Sequence, residues 1–265
     1  MENIPESSSK GTKRRRDEEE SGDGKTPSLE LDLTFSDTLV ALRIMRAQFP
    51  HIPKVSVEPF MLKSQLYSSV KDRTLVDREL ETLRRDKVLR VFKLNTGQDD
   101  HAVMFLDDYI NQIDRAVKRI EGEKGGENEV FGWFKTHVLD SKLETGIEHQ
   151  ELCSLLSLGG KVKDSHISLL INAGIITRQL IDPNMYWFAI PSIGSLLKGL
   201  SQGRKEVISL LSRRRYKEMM LASLEKKRLR MSPLDMRFHL RDLIGSGHLR
   251  TDQTPSGLII RVSKD

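Results

Sequence analysis

One spacing recurs three times along the chain, and it restricts the fold more than any other feature. Leu80, Leu83, Lys87, Val88 and Leu89 stand at the same intervals as Ile167, Leu170, Gly174, Ile175 and Ile176, and again as Leu240, Leu243, Gly247, His248 and Leu249. In each copy apolar residues three apart mark a helical face, and a short link then reverses the chain into an apolar strand start. A second strand follows each time, at Val103 to Leu106, Tyr186 to Ile190 and Leu258 to Val262. The residues between the strands are turn formers: Gly97 in "NTGQDD", Asp182-Pro183-Asn184, and "TPSG" from Thr254 to Gly257,.

Upstream of each copy there is room for two more helices. Leu39, Leu42, Met45 and Phe49 share a helical face after Ser36, and Pro59 is expected to open a second helix carrying Phe60 and Leu66,. Thr74 with Asp77 announces a third helix by a capping arrangement, and Ser232-Pro233-x-Asp235 does the same in the last copy,. Three helices and a two-stranded wing make the winged-helix pattern. The expected fold class is therefore α+β, mainly helical, with three tandem winged-helix domains at 33–106, 107–190 and 191–265. The competing reading is one irregular α+β domain. A length of 265 residues is enough for three small cores,. "EGEKGGENE", 121–129, reads as a loop within the second domain.

The remaining segment, 1–32, has charge runs and almost no apolar periodicity, so it reads as a disordered tail,. Within it Lys13, Arg14, Arg15 and Arg16 have the form of a nuclear-localisation cluster,. The start of the chain is too polar for a signal peptide, and no apolar run approaches the roughly 20 residues that cross a bilayer,. The single cysteine, Cys153, excludes an intrachain disulfide framework and a multi-cysteine zinc site, and reads as a small buried hydrophobe,. No metal or cofactor is expected.

A net charge of +5 conceals a strong asymmetry. Lys and Arg outnumber Asp and Glu by 9 in 191–265, whereas 107–190 has an excess of 4 acids. The basic concentration includes Lys198, Arg204, Lys205, Arg213, Arg214, Arg215, Lys217, Lys226, Lys227, Arg228 and Arg230. Val207, Leu210, Leu211, Met219, Met220, Leu221 and Leu224 are expected to hold helices over 202–232 to a core and leave these cations outward. Such a face suits a phosphate backbone, where each contact releases condensed counterions. An acidic protein surface, or simple solvation, are the alternatives; two basic triplets without interleaved acids favour an anionic partner.

The third helices are poor base readers. "DSHISLLINAG" has no Lys or Arg; Arg73, Arg78, Arg84 and Arg85 are mixed with acids; the last helix offers Arg237, His239 and Arg241. Binding is therefore expected to be backbone-dominated and to run through the third domain, with the middle domain protein-facing or structural. Trp133, Trp187 and Phe188 lie in apolar patterns and read as core, which favours duplex over single strand,.

"FSDTLVALRIMRAQFP", "LNTGQDDHAVMFLDDY", "HISLLINAGIITRQLIDPNMYWFAIP" and "LDMRFHLRDLIGSGHL" resemble the serine/threonine-protein kinase 19 family over roughly 33–265. The kinase chemistry in that name is absent from the chain. There is no Gly-rich GxGxxG loop, no Asp-Phe-Gly and no Ala-Pro-Glu, and "HLRDL", His239 to Leu243, belongs to a helix whose core positions are Leu240 and Leu243,. The resemblance implies an inactive kinase: a nuclear, double-stranded DNA-binding protein of transcription-coupled nucleotide-excision repair. Its implied partners are the stalled RNA polymerase II complex, its ubiquitin-ligase and scaffold factors, downstream DNA and the repair helicase complex. The alternatives are a protein-interaction scaffold without DNA binding and a divergent kinase; monomer and homodimer both stay open.

Overall fold

The computed structural model of the protein describes residues 36–52, 55–97, 100–121 and 128–263. The segment 1–32, with Lys13 to Arg16, lies outside them, as do residues 122–127 of the 121–129 segment.

Helix α1 (Asp37–Ala47) begins where the Ser36 side chain accepts a hydrogen bond from the Leu39 N–H at 3.2 Å,. Leu42 and Met45 are buried on its inner face, and Phe49 packs inward just past its end, 5.3 Å from the Phe60 ring. Pro59 and Phe60 do not start a helix. The strand β1 (Met61–Leu62) comes first, because Met61 and Leu62 pair with Val103 and Ala102, and α2 (Lys63–Ser69) follows. Asp72 caps α3 (Arg73–Arg85) by accepting from the N–H groups of Thr74 (2.9 Å) and Leu75 (3.1 Å). The expected role of Asp77 in that cap fails because its carboxylate faces the Tyr67 hydroxyl (2.6 Å) and the Lys63 ammonium (2.9 Å). Strands β2 (Leu89–Lys93) and β3 (His101–Phe105) complete an antiparallel sheet in the order β1-β3-β2.

Helix α4 (Leu106–Glu121) runs directly on from β3. Beyond it α5 (Glu129–Trp133), a π turn (Phe134–Val138) and α6 (Leu139–Ser141) form one helical run. Then come β4 (Gly146–Glu148), α7 (His149–Ser157), α8 (Asp164–Asn172), β5 (Ile176–Arg178) and β6 (Met185–Phe188), whose strands pair in the order β4-β6-β5. The last part holds α9 (Gly194–Ser212), β7 (Glu218–Met220), α10 (Leu221–Glu225), α11 (Met236–Gly245), β8 (Leu249–Thr254) and β9 (Gly257–Val262), paired β7-β9-β8. Asp235 caps α11 by accepting from the Phe238 N–H at 2.8 Å, so Pro233 stands outside the helix. The chain is thus α+β, with three winged helices whose wings each gain a short third strand placed before the second helix.

The recurrent reversal has a backbone cause. Lys87, Gly174 and Gly247, equivalent in the three copies, have φ of 56°, 73° and 84°. This left-handed residue ends each third helix; in the first two copies the next N–H, of Val88 or Ile175, bonds back to the carbonyl of Leu83 or Leu170,. Two of the three positions are glycine, which bears that conformation without a Cβ clash.

The three units share apolar surface. One cluster runs from Phe60, Phe92 and Tyr109 through Phe134, Ile175 and Phe188 to Leu196, Leu234 and Phe238. Leu42, Leu66, Val76 and Val103 form a separate core in the first unit, and Val207, Leu211, Leu240 and Ile260 another in the third. Phe188 belongs to the core as expected, but Trp187 is half-buried with the Lys93 ammonium 5.1 Å from its ring centre, and Trp133 lies against Gly159 and Gly160.

Candidate nucleic-acid interface

Helix α9 sorts its residues by face. Leu196, Leu200, Gly203, Val207 and Leu211 are buried, at the three- and four-residue intervals of one helical stripe, while Lys198 and Lys205 are exposed,. Gly199 and Gly203 let the following chain come close: a Cβ on Gly199 would lie 2.5 Å from Pro233, and one on Gly203 would lie 2.3 Å from the His239 ring. The Glu206 carboxylate then accepts from the backbone N–H of Arg230 (3.0 Å) and of Met231 (3.0 Å), tying the 226–235 segment to the helix by its main chain. The Arg230 side chain stays exposed.

The stretch 202–232 is not helical throughout. Helix α9 stops at Ser212, and Arg213 to Lys217 form a turn fixed by the Arg214 N–H on Leu211 O (2.9 Å), the Lys217 N–H on Arg214 O (3.0 Å) and the Val262 N–H on Lys217 O (3.1 Å). Met219 and Met220 lie in β7, opposite Ile260 and Ile259, where cross-strand pairing wins over helix continuation. Arg213, Arg214 and Arg230 line a cleft of about 580 Å³ with Ser209 and Met231. Lys227, Arg228 and Arg237 share a second, of about 480 Å³, with Ser232.

Lys198, Lys205, Arg213, Arg214, Arg215, Lys217, Lys226, Arg228 and Arg230 are exposed and Lys227 is half-buried. Among the described residues none of these ten forms an ion pair. Elsewhere many cations are paired: Arg46 with Asp108, Arg84 and Arg85 with Glu81, Arg115 with Glu58, Lys142 with Glu151. Arg250, exposed on β8 and likewise without an ion pair, was not among the residues singled out from the sequence, where it is an isolated cation in a wing.

Arg204 leaves the candidate set. Its guanidinium grips Asp242 through Nε (2.6 Å) and Nη2 (3.0 Å), and Asp100 through Nη1 (2.6 Å) and Nη2 (3.2 Å). Burial alone would discourage its charge, but the hydrogen bonds it donates to Asp242 and Asp100 raise its pKa above the ordinary arginine value. Asp100 is held below the usual carboxylate range: burial opposes this, and bonds from Arg204 and Thr96 outweigh it. This residue is a clasp between the first wing and α11, with four of its five N–H groups committed to the two carboxylates,.

The third helix of the last unit, α11, is spent on packing. Helix α11 lies on α2 of the first unit: Ser64 Oγ donates to Asp242 (2.6 Å), Gln65 Nε2 to the Phe238 carbonyl (3.0 Å) and Arg73 to the Gly245 carbonyl (3.0 Å). A Cβ on Gly245 would sit 1.6 Å from the Ser64 carbonyl oxygen. Arg237 faces Glu225 at 3.7 Å, Arg241 donates to Gln48, and His239 is buried with Nε2 2.8 Å from the Ser232 hydroxyl. Burial, reinforced by the Arg204 charge, pushes the His239 pKa down to about 4, so the ring is neutral. Asp242 of "HLRDL" is fully buried on a regular helix, bonded to Ser64 and Arg204, and cannot serve as a catalytic base. Among the described residues, no cluster of His, Cys, Asp and Glu could hold a metal ion, and no helix is long and apolar enough to cross a membrane.

Three fused winged helices, with α11 packed on the first unit and a basic surface left open, define a winged-helix protein. The chain belongs to the inactive serine-threonine protein kinase 19 family, whose model matches residues 25–262. Its relatives include proteins named winged helix repair factor 1: the human one is 28% identical over 208 residues, 78% of this chain and 78% of that protein. The Xenopus laevis protein is 30% identical over 79% of this chain and 76% of its own, and that of Dictyostelium discoideum 25% over 90% and 68%. The family is one of inactive kinases, and this protein is not an enzyme.

Proposed function

We propose that this protein is a nuclear binder of duplex DNA that works in transcription-coupled nucleotide-excision repair, bridging a stalled RNA polymerase II complex, the downstream DNA and repair factors. The observation that carries DNA binding is the set of ten unpaired cations on α9, the 213–217 turn and the 226–230 segment. Cations left without acidic partners along this stretch match a polyanion that supplies the counter-charge itself,. Because α11 is packed on α2, the reading is of phosphates and not of base edges, so binding is only weakly sequence-dependent,.

The name borne by the relatives supports a repair role, and Lys13 to Arg16 support nuclear entry. We divide the labour along 33–106, 107–190 and 191–265, with the last binding DNA and the acidic middle region meeting the polymerase-bound ubiquitin ligase, scaffold factors or repair helicase. The test is complementation of cells lacking the protein, scored as recovery of transcription after transcription-blocking lesions. Wild type restores recovery; a chain with Arg213, Arg214, Arg215, Lys226, Lys227 and Arg228 changed to Glu, expressed and nuclear at the same level, does not. Full rescue by that chain overturns the reading.

A further inference from the structure

One motif of the sequence does not play the part expected of it. Asp235, not Ser232, caps α11, so the Ser232-Pro233 pair stands in the segment between α10 and α11. That segment is lightly held. Among the described residues, main-chain groups of 228–234 make no hydrogen bond with other main-chain groups. The ties are the Glu206 carboxylate on the N–H groups of Arg230 and Met231, and the Ser232 hydroxyl on the N–H of Leu234 (3.1 Å). Leu234 is buried, Met231 and Pro233 are exposed, and Ser232 is half-buried. Ser232 lines the cleft of about 480 Å³ that also holds Lys227, Arg228 and Arg237. The two carboxylates of that cleft are engaged, Glu225 facing Arg237 at 3.7 Å and Asp235 capping α11. Of the two other Ser/Thr-Pro pairs, Thr26-Pro27 lies outside the described residues. Thr254-Pro255 is locked into the β8–β9 turn, where Thr254 pairs with Gly257 and its hydroxyl donates to the Gly257 carbonyl (2.7 Å).

We infer that Ser232 is phosphorylated by a proline-directed protein kinase, and that the phosphate it gains takes the place of duplex phosphate in the cleft. Such a kinase grips its substrate as an extended chain with proline after the acceptor. Pro233 already biases Ser232 toward that backbone, and a segment tied down only through side chains opens locally at little cost. In the reaction the Ser232 Oγ bonds to the γ-phosphorus of ATP, the bond to the β,γ-bridging oxygen breaks, ADP departs, and the hydroxyl proton passes to the kinase's base. The Oγ lies 2.8 Å from Nε2 of the buried His239, a place that suits a hydroxyl and not a dianion,. The phosphate, with about −1.5 to −2 charge, therefore turns out into the cleft and pairs with Lys227 and Arg228,. Both belong to the unpaired cations, so two contacts offered to DNA become satisfied within the chain. The release from DNA rests on the proposed duplex binding; the modification itself does not.

To test it, the full chain is treated with a cyclin-dependent kinase and MgATP, its phosphopeptides are mapped by mass spectrometry, and duplex affinity is measured before and after. A synthetic peptide of residues 226–236 verifies that the kinase is active. Wild type is expected to gain a phosphate on Ser232 and to lose more than about tenfold in affinity, with the slope of log K against log salt shallower by about 2. Ser232→Ala gains none at that position and keeps its own affinity through the treatment. Ser232→Asn behaves alike, and its amide can still bond Leu234 and His239, so it serves where the alanine variant fails to fold. Pro233→Ala retains the hydroxyl but is modified far more slowly. Three results overturn the inference: no phosphate on Ser232 while the peptide is modified, Pro233→Ala modified as fast as wild type, or full modification of Ser232 with duplex affinity unchanged. A chain that binds no duplex before treatment takes down the DNA reading and the release with it, and the mass of the Ser232 peptide still decides the modification.

Discussion

Arg204 and Lys205 are neighbours on one helix with opposite fates. The first turns inward and binds two carboxylates that lie 38 and 104 residues away; the second points out and has no ion-pair partner among the described residues. Around Arg204 lies a seam in which Asp242, Asp100, Gln65 and Gly245 fasten the third unit to the first, with His239 buried beside it. Around Lys205 lies an outer surface whose cations have no ion-pair partner among the described residues. The lesson is that the positive charge of one segment divides into a structural and a recognition share, and that the division follows the tertiary packing.

The seam should break first. Arg204→Met strands Asp242 and Asp100 and is expected to cost about 3–5 kcal/mol in urea unfolding, while the folded protein keeps its duplex affinity. Loss of affinity without loss of stability would reverse the assignment of this residue. Gly245→Ala sharpens the same side: with a Cβ at 1.6 Å from the Ser64 carbonyl, α11 and α2 must separate, and about 3 kcal/mol of stability goes with them. A thermal unfolding midpoint equal to wild type would show that the helices are not pressed together there.

Acid acts on the seam through His239. Its folded pKa, about 4, lies below the ordinary 6.5, so the unfolded chain takes up the proton first as pH falls. This group's contribution is therefore complete above pH 6.5 and is lost progressively as pH falls, the loss reaching about 3 kcal/mol by pH 4,. The lowered pKa of Asp100 works in the same direction at the acid end. Stability measured from pH 7 to 4 should fall steeply in wild type and less so in His239→Gln; identical profiles would remove the histidine from the account.

The smallest effect concerns the first reversal. Lys87 holds a left-handed φ without being glycine, and its exposed ion pair with Asp140 repays little,. Lys87→Gly is expected to gain about 0.5 kcal/mol in stability, readable as a small shift of the urea midpoint; a loss larger than that would make the Asp140 pair the stronger term.

The repeat was legible because its cause is local: a helix end, one left-handed residue and an apolar strand leave the same trace at Lys87, Gly174 and Gly247. The first strands β1, β4 and β7 left none, since two or three residues are too short to show alternation, and Glu218 to Met220 read as helix until paired with β9. Most of the basic surface was visible as a charge run, but which members face outward was not. Arg204 could be excluded only by partners far off in the chain, and nothing near Gln65 announces that its amide reaches the Phe238 carbonyl 173 residues on. The helix caps misled for the reverse reason, since Ser, Thr and Asp crowd the same few positions and tertiary contacts decide among them.

The most direct test of the outer surface is a titration of the purified protein against a fluorescent random-sequence duplex at several salt concentrations, beside the variant with Arg213, Arg214, Arg215, Lys226, Lys227 and Arg228 changed to Glu. The account predicts that wild type binds with log K falling by about 0.9 per neutralised phosphate as log salt rises, and that the variant, equally stable, does not bind. Equal binding by both, or by neither, would contradict it and give the basic face to a protein partner.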